Sequence, residues 1–131
     1  MINVPGYAAH SLYGEAEVGF ASDEKTLRLA LEEIPKLGAG EKPWVLYVGW
    51  NAPHTPYRAD KPYLDMYDPA DTELPPSYFD DMSDKPDYYR KLRQNVFDRL
   101  SENGAKEAIR HFRAVCTKID DNFGLILDCL L

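Results

Sequence analysis

The stretch Pro43-Trp44-Val45-Leu46-Tyr47-Val48-Gly49-Trp50 decides the fold class, because it is apolar at nearly every position rather than at alternate ones. Such a run, bounded by a proline and a polar residue, predicts a strand at about 44–50 buried on both faces, as in the middle of a parallel sheet. It is far shorter than the roughly 20 apolar residues needed to cross a bilayer, so no membrane span is expected. On its amino side Ser22, followed by Asp23 and Glu24, predicts a helix start whose carboxylates oppose the positive end of the dipole. Leu27, Ala30, Leu31 and Ile34 then share one apolar face, and Pro35, Gly38 and Gly40 are expected to end the helix. A helix, a short connection and a buried strand make the second half of a βαβ unit. No first strand is evident in residues 1–21, where Pro5, Gly6, Gly14 and Gly19 interrupt any period and predict a loop-rich lead-in.

On the carboxyl side, Pro53, Pro56, Pro62, Pro69, Pro75 and Pro76 exclude a long helix or central strand and predict a long Pro-rich excursion to about residue 84. Within it, Lys61 to Tyr67 can form one or two helical turns with Pro62 at the first position. A further helix opens at Asp84 or Lys85 with Pro86 near its start, and Tyr89, Leu92, Val96 and Leu100 are its expected buried face. An ordered connection of this length is uncommon and tends to be functional. The last element is the most regular. Ile109, Phe112, Cys116, Ile119, Phe123, Ile126 and Leu130 step by three and four, predicting a long C-terminal helix at about 105–130 with a continuous apolar stripe, which Ala108, Val115 and Leu127 widen enough to lie against a sheet or several helices. The expected class is therefore α/β, with residues 1–131 forming one domain.

With 22 acidic and 15 basic residues the formal charge is −7, which lacks the basic footprint of a nucleic-acid binder. Cys116 and Cys129 lie about 20 Å apart along the predicted helix, too far to pair. Two cysteines so placed exclude a disulfide framework and a cysteine zinc site. Residues 1–6 lack the basic and apolar regions of a secretory signal, so the expectation is a cytoplasmic product or a start further upstream, and the compartment stays open.

In open α/β sheets ligands bind beyond the carboxyl ends of the strands, which singles out Asn51-Ala52-Pro53-His54-Thr55-Pro56-Tyr57. The His54 imidazole could donate a hydrogen bond to an anionic oxygen or a leaving group, aimed by the flanking prolines. A structural or surface histidine fits the local pattern equally well. Asn51 is a weaker binding candidate that also suits a turn, and Tyr57 also suits an aromatic packed beneath the loop. No catalytic residue and no metal ligand emerges. Asp120 and Asp121 point about 100° apart on a helix and do not converge, and Cys116, without a histidine one turn away, reads as an inert core thiol. His10, His111, Arg58, Lys61 and the Asp80-Asp81-Met82-Ser83-Asp84 run carry no chemistry beyond packing and solvation. Gly-rich phosphate loops, H-E-x-x-H and G-x-S-x-G are absent from the sequence.

The ordered run Pro43 to Tyr57 resembles the strand and histidine motif of sulfatases in the alkaline-phosphatase-like superfamily. Lys61-Pro62-Tyr63-Leu64-Asp65-Met66-Tyr67-Asp68-Pro69, Glu73-Leu74-Pro75-Pro76 and the run Phe112 to Leu127 resemble successive landmarks of that family, so the likeness covers about residues 22–131. It implies a partial alkaline-phosphatase-like fold and a hydrolase of sulfate esters acting on a sulfated small molecule or sugar. In such enzymes a formylglycine, made from Cys or Ser in C-x-P-x-R or S-x-P-x-R, works beside calcium. The histidine matching His54 contacts the sulfate or the bridging oxygen, where a cationic donor offsets developing charge.

Neither nucleophile motif occurs in the 131 residues. The family's metal-binding aspartates lie before and after the matching region. The expectation is therefore an internal segment, inactive alone, that contributes the substrate-binding residue His54 and holds neither formylglycine nor calcium itself. A phosphonate monoester or phosphodiester hydrolase of the same superfamily is the near alternative. A different class of reading is a non-catalytic, self-associating module that forms a homodimer through exposed strand edges.

Overall fold

The computed structural model describes residues 2–3, 11–15, 21–95 and 97–131. Two long helices make its frame. Helix α1 spans Ala21–Gly38 and runs through Pro35, one turn further than the proline suggested. Proline at 35 removes the N–H that would satisfy the Leu31 carbonyl. That carbonyl faces the Cys129 thiol, with Sγ 3.9 Å away, so the second long helix supplies a weak donor where the first lacks one.

This second helix, α4, spans Glu102–Leu130 and matches the regular heptad-like pattern at the carboxyl end. It starts at Ser101, whose hydroxyl accepts the Gly104 N–H at 3.1 Å. Its buried face only partly follows the expected stripe, keeping Ala108, Val115 and Ile126. Ala105, Ala108, His111, Ala114, Val115 and Ile126 are inside, whereas Phe112, Phe123 and Leu130 are exposed. Small side chains win these positions because they let a neighbouring backbone approach closely.

That neighbour is a three-stranded sheet in the order β1 (Ile2–Asn3), β2 (Ser11–Glu15), β3 (Tyr57–Ala59). β1 and β2 are antiparallel, while β2 and β3 are parallel with Tyr13 opposite Tyr57 and Glu15 opposite Ala59. The mixed α/β class is thus as expected, but these strands arise in the lead-in read as loop and just after the prolines. His10 and the other lead-in residues at 1, 4–10 and 16–20 lie outside the described residues. Ala59 and Ala114 meet with no exposed surface beside Leu64 and Val115, which closes α4 onto β3.

Residues 44–50 correct the central expectation. They form no strand among the described residues, and no described backbone hydrogen bond involves them. Leu46, Val48 and Trp50 pack on Ala30, Ile34 and Ile126 between α1 and α4, while Val45 is 96% and Tyr47 91% exposed. Burial therefore alternates: one face is covered and the other is open. The reason is positional, since β2 and β3 pack on the amino-terminal half of α4 and this run lies on its carboxyl-terminal half.

The Pro-rich excursion is ordered by short elements, namely β3, helix α2 (Lys61–Leu64) and single 3₁₀ turns at Pro69–Asp71 and Pro76–Phe79. Arg110 of α4 pins it by donating to the Leu64 carbonyl from Nε at 3.2 Å and from Nη2 at 3.0 Å. Helix α3 (Asp87–Asn95) has no buried residue. Of its expected face, Leu92 packs beside Leu12, Tyr13 and Ala108 together with Leu100, Tyr89 is exposed, and Val96 lies outside the described residues.

Because Ile34 closes the cluster under the 46–50 run, Ile34→Ala should destabilise the chain by about 2–4 kcal/mol in urea unfolding. A loss below about 1 kcal/mol would show that this run does not rest on α1.

Candidate functional site

The loop after the apolar run is built from backbone contacts. Asp23, only 8% exposed in the first turn of α1, accepts the Asn51 N–H on Oδ1 at 3.0 Å and the Ala52 N–H on Oδ2 at 2.9 Å. The His54 N–H then donates to the Asn51 carbonyl at 3.0 Å, closing a tight turn. From there the chain passes into β3 beside β2.

His54 itself is exposed, and its Nδ1 lies 2.5 Å from the Thr55 carbonyl oxygen. A carbonyl only accepts, so Nδ1 carries the proton and Nε2 is the atom left for a ligand. In the neutral ring Nε2 is an acceptor; in the cation it is a charged donor. Asn51 is also exposed, and the contact that defines its place uses its backbone rather than its amide. Tyr57 is half-buried with its ring edge-on to Phe112 at 5.3 Å, the packing role anticipated for it.

Behind the loop lies a cavity of about 20 Å³, lined by Asp23, Glu24, Trp50, Arg58, Lys118 and Asn122 among others. It has room for at least one water. His54 is not among the residues that line it. The Trp50 indole N–H is buried without a hydrogen-bond acceptor among the described residues.

Lys118 closes the rear wall. Its ammonium pairs with Asp60, just after β3, and with Glu24 of α1 at 3.2 Å. Burial by itself lowers the pKa of this ammonium, but hydrogen bonding and attraction from Asp60 and Glu24 outweigh it and raise the pKa above the ordinary lysine value. Asp23, Asp60 and Lys118 were not singled out from sequence as site residues. Their partners are 28 to 94 residues away, and nothing local marks such pairings.

Other candidates separate. Asp120 and Asp121 are exposed, Asp121 against the Tyr63 hydroxyl, whose pKa is raised by burial and by that carboxylate. Burial likewise pushes the Cys116 thiol up, away from the thiolate a nucleophile needs. His111 is buried against Tyr13, ring centroids 4.8 Å apart. Among the described residues no three His, Cys, Asp or Glu side chains converge to hold a metal ion. Both oxygens of the buried Asp23 carboxylate are engaged by backbone N–H groups. These residues do not fit a calcium site, and neither cysteine stands in a formylglycine sequence.

Comparison with known proteins bears on the same region. The chain is 24% identical over 101 residues to the uncharacterized sulfatase YidJ of Escherichia coli (strain K12). The likeness is to a sulfatase. The match takes in 77% of this chain, which spans about a fifth (20%) of the length of that relative. No family model and no solved structure matches the chain. The similarity supports a sulfatase-like relationship and no narrower one.

The raised Lys118 pKa sets a pH dependence. The folded state holds this proton more tightly than the unfolded chain, so its contribution is complete below the ordinary lysine value of 10.5 and is lost as pH rises through the higher folded value. Urea midpoints measured from pH 9 to 12 should fall more steeply in the wild type than in Lys118→Met. Tyr13, whose raised pKa acts in the same sense, cancels in that difference. Tyr63 does not, because Lys118 itself draws its pKa down, so both proteins are compared in a Tyr63→Phe background. Equal slopes would remove Lys118 from the linkage.

Proposed function

We propose that this chain is a segment of a sulfatase-type hydrolase of sulfate esters, in which the 51–57 loop presents His54 to the sulfate group of a sulfated small molecule or sugar. The observation that carries the reading is an exposed imidazole anchored through Nδ1, which leaves Nε2 as a single oriented polar atom on the open side of the loop. When protonated, Nε2–H can donate a charge-assisted bond to a sulfate oxygen or to the oxygen that leaves, where negative charge grows. Under this reading calcium and the formylglycine belong to residues outside this chain, and the chain alone has no turnover.

Titration with sulfate and with phenyl sulfate, against chloride at equal ionic strength, tests this by the nitrogen-15 signals of the histidine rings. The expected result is a saturable shift of His54 in roughly the millimolar range, absent in His54→Gln, with no hydrolysis of p-nitrophenyl sulfate. A silent His54, or turnover that survives His54→Gln, would overturn the proposal.

The open Val45 and Tyr47 face favours a second reading, a homodimer that pairs through the 44–50 run, which has no backbone partner among the described residues. Sedimentation decides between the two. A dimer dispersed by Tyr47→Lys supports self-association, and a compact monomer supports the hydrolase segment.

A further inference from the structure

We infer that Asp23 is a positioning residue for His54, holding the loop so that the imidazole meets an oxyanion in one orientation; this rests on the reading of His54 given above. Two successive amides bound by the two oxygens of one carboxylate fix both the place and the tilt of the peptide between Asn51 and Ala52. The carbonyl of that same peptide accepts the His54 N–H, and the His54 ring is in turn tied to the Thr55 carbonyl. An unbroken series of hydrogen bonds thus runs from a buried side chain on a long helix to the ring that faces solvent.

A carboxylate serving the helix dipole alone requires neither burial nor remote amides. Its exposed neighbour Glu24 occupies the same first turn and takes a different task. Through Lys118 and Asp60, Glu24 restrains the chain just after β3, so adjacent residues of α1 hold both ends of the segment carrying His54. The Asp23 charge does not oppose an incoming anion in this arrangement, because the two amides and the positive end of α1 offset it.

Asp23→Asn keeps the size but offers only one acceptor oxygen to the two amides. Hydrogen exchange at Asn51, Ala52 and His54 should quicken by about tenfold, the effect of one charge-assisted bond, while amides within α4 keep their rates. The His54 response to sulfate should weaken by a similar factor, and Asp23→Glu, which retains both oxygens, should recover part of it. Unchanged exchange at 51 and 52 in Asp23→Asn would overturn the inference, as would wild-type sulfate affinity in that variant.

If wild-type His54 ignores sulfate while Asp23→Asn still loosens these amides, the sulfatase reading fails and the hold of Asp23 on the loop stands. Should Asp23→Asn not fold, scalar couplings across the hydrogen bonds from the 51 and 52 amides to the Asp23 carboxyl carbon in the wild type give the answer. Their absence refutes the tie and their presence supports it.

Discussion

A buried carboxylate with two backbone amides for partners is the tie on which the rest of this structure depends. The Asp23 side chain joins the first turn of α1 to the end of the apolar run, and the turn that carries His54 begins where that tie is made. Burying an ionised carboxylate is costly unless its oxygens are bonded, so Asp23 and the loop specify one another. Releasing either would strand a charge or two N–H donors. That mutual requirement explains how a stretch of alternating prolines and small residues, with no regular structure of its own, has a definite path.

Around this tie the packing is divided rather than central. One apolar cluster lies between α1, α4 and the inner face of residues 46–50, a second where α4 closes on β3 and α2, and a third where β2 meets α4 and the residues around α3. Helix α4 is common to all three. The close approach at Ala59 and Ala114 and the ionic links of Lys118 to Asp60 and Glu24 keep these clusters in register. The site has two parts: a cavity wall of mixed charge from Asp23, Glu24, Arg58 and Lys118, and an exposed loop bearing one imidazole.

The long helices were legible in the residue order, because a 3.6-residue period over many turns admits few other structures. The break at Pro53 and the place of His54 just beyond an apolar run were legible for the same reason, being local. Of the α4 stripe, Ala108, Val115 and Ile126 were a correct guide to the buried face, whereas Phe112, Phe123 and Leu130 were not, since the strand against the helix favoured alanines. The run at 44–50 was read as buried on both sides from its composition, yet a strand is defined by the backbone beside it, which a sequence pattern does not contain.

Periodicity and proline placement therefore settled which segments are helical and where the candidate histidine stands. Packing alone decided that β2 pairs with β3, that Asp23 reaches across 28 positions to Asn51, and that Lys118 bridges two carboxylates. Helical periods arise from neighbours three and four residues apart, so the chain carries them along its length. Contacts between distant residues exist only once the helices and strands have been brought together.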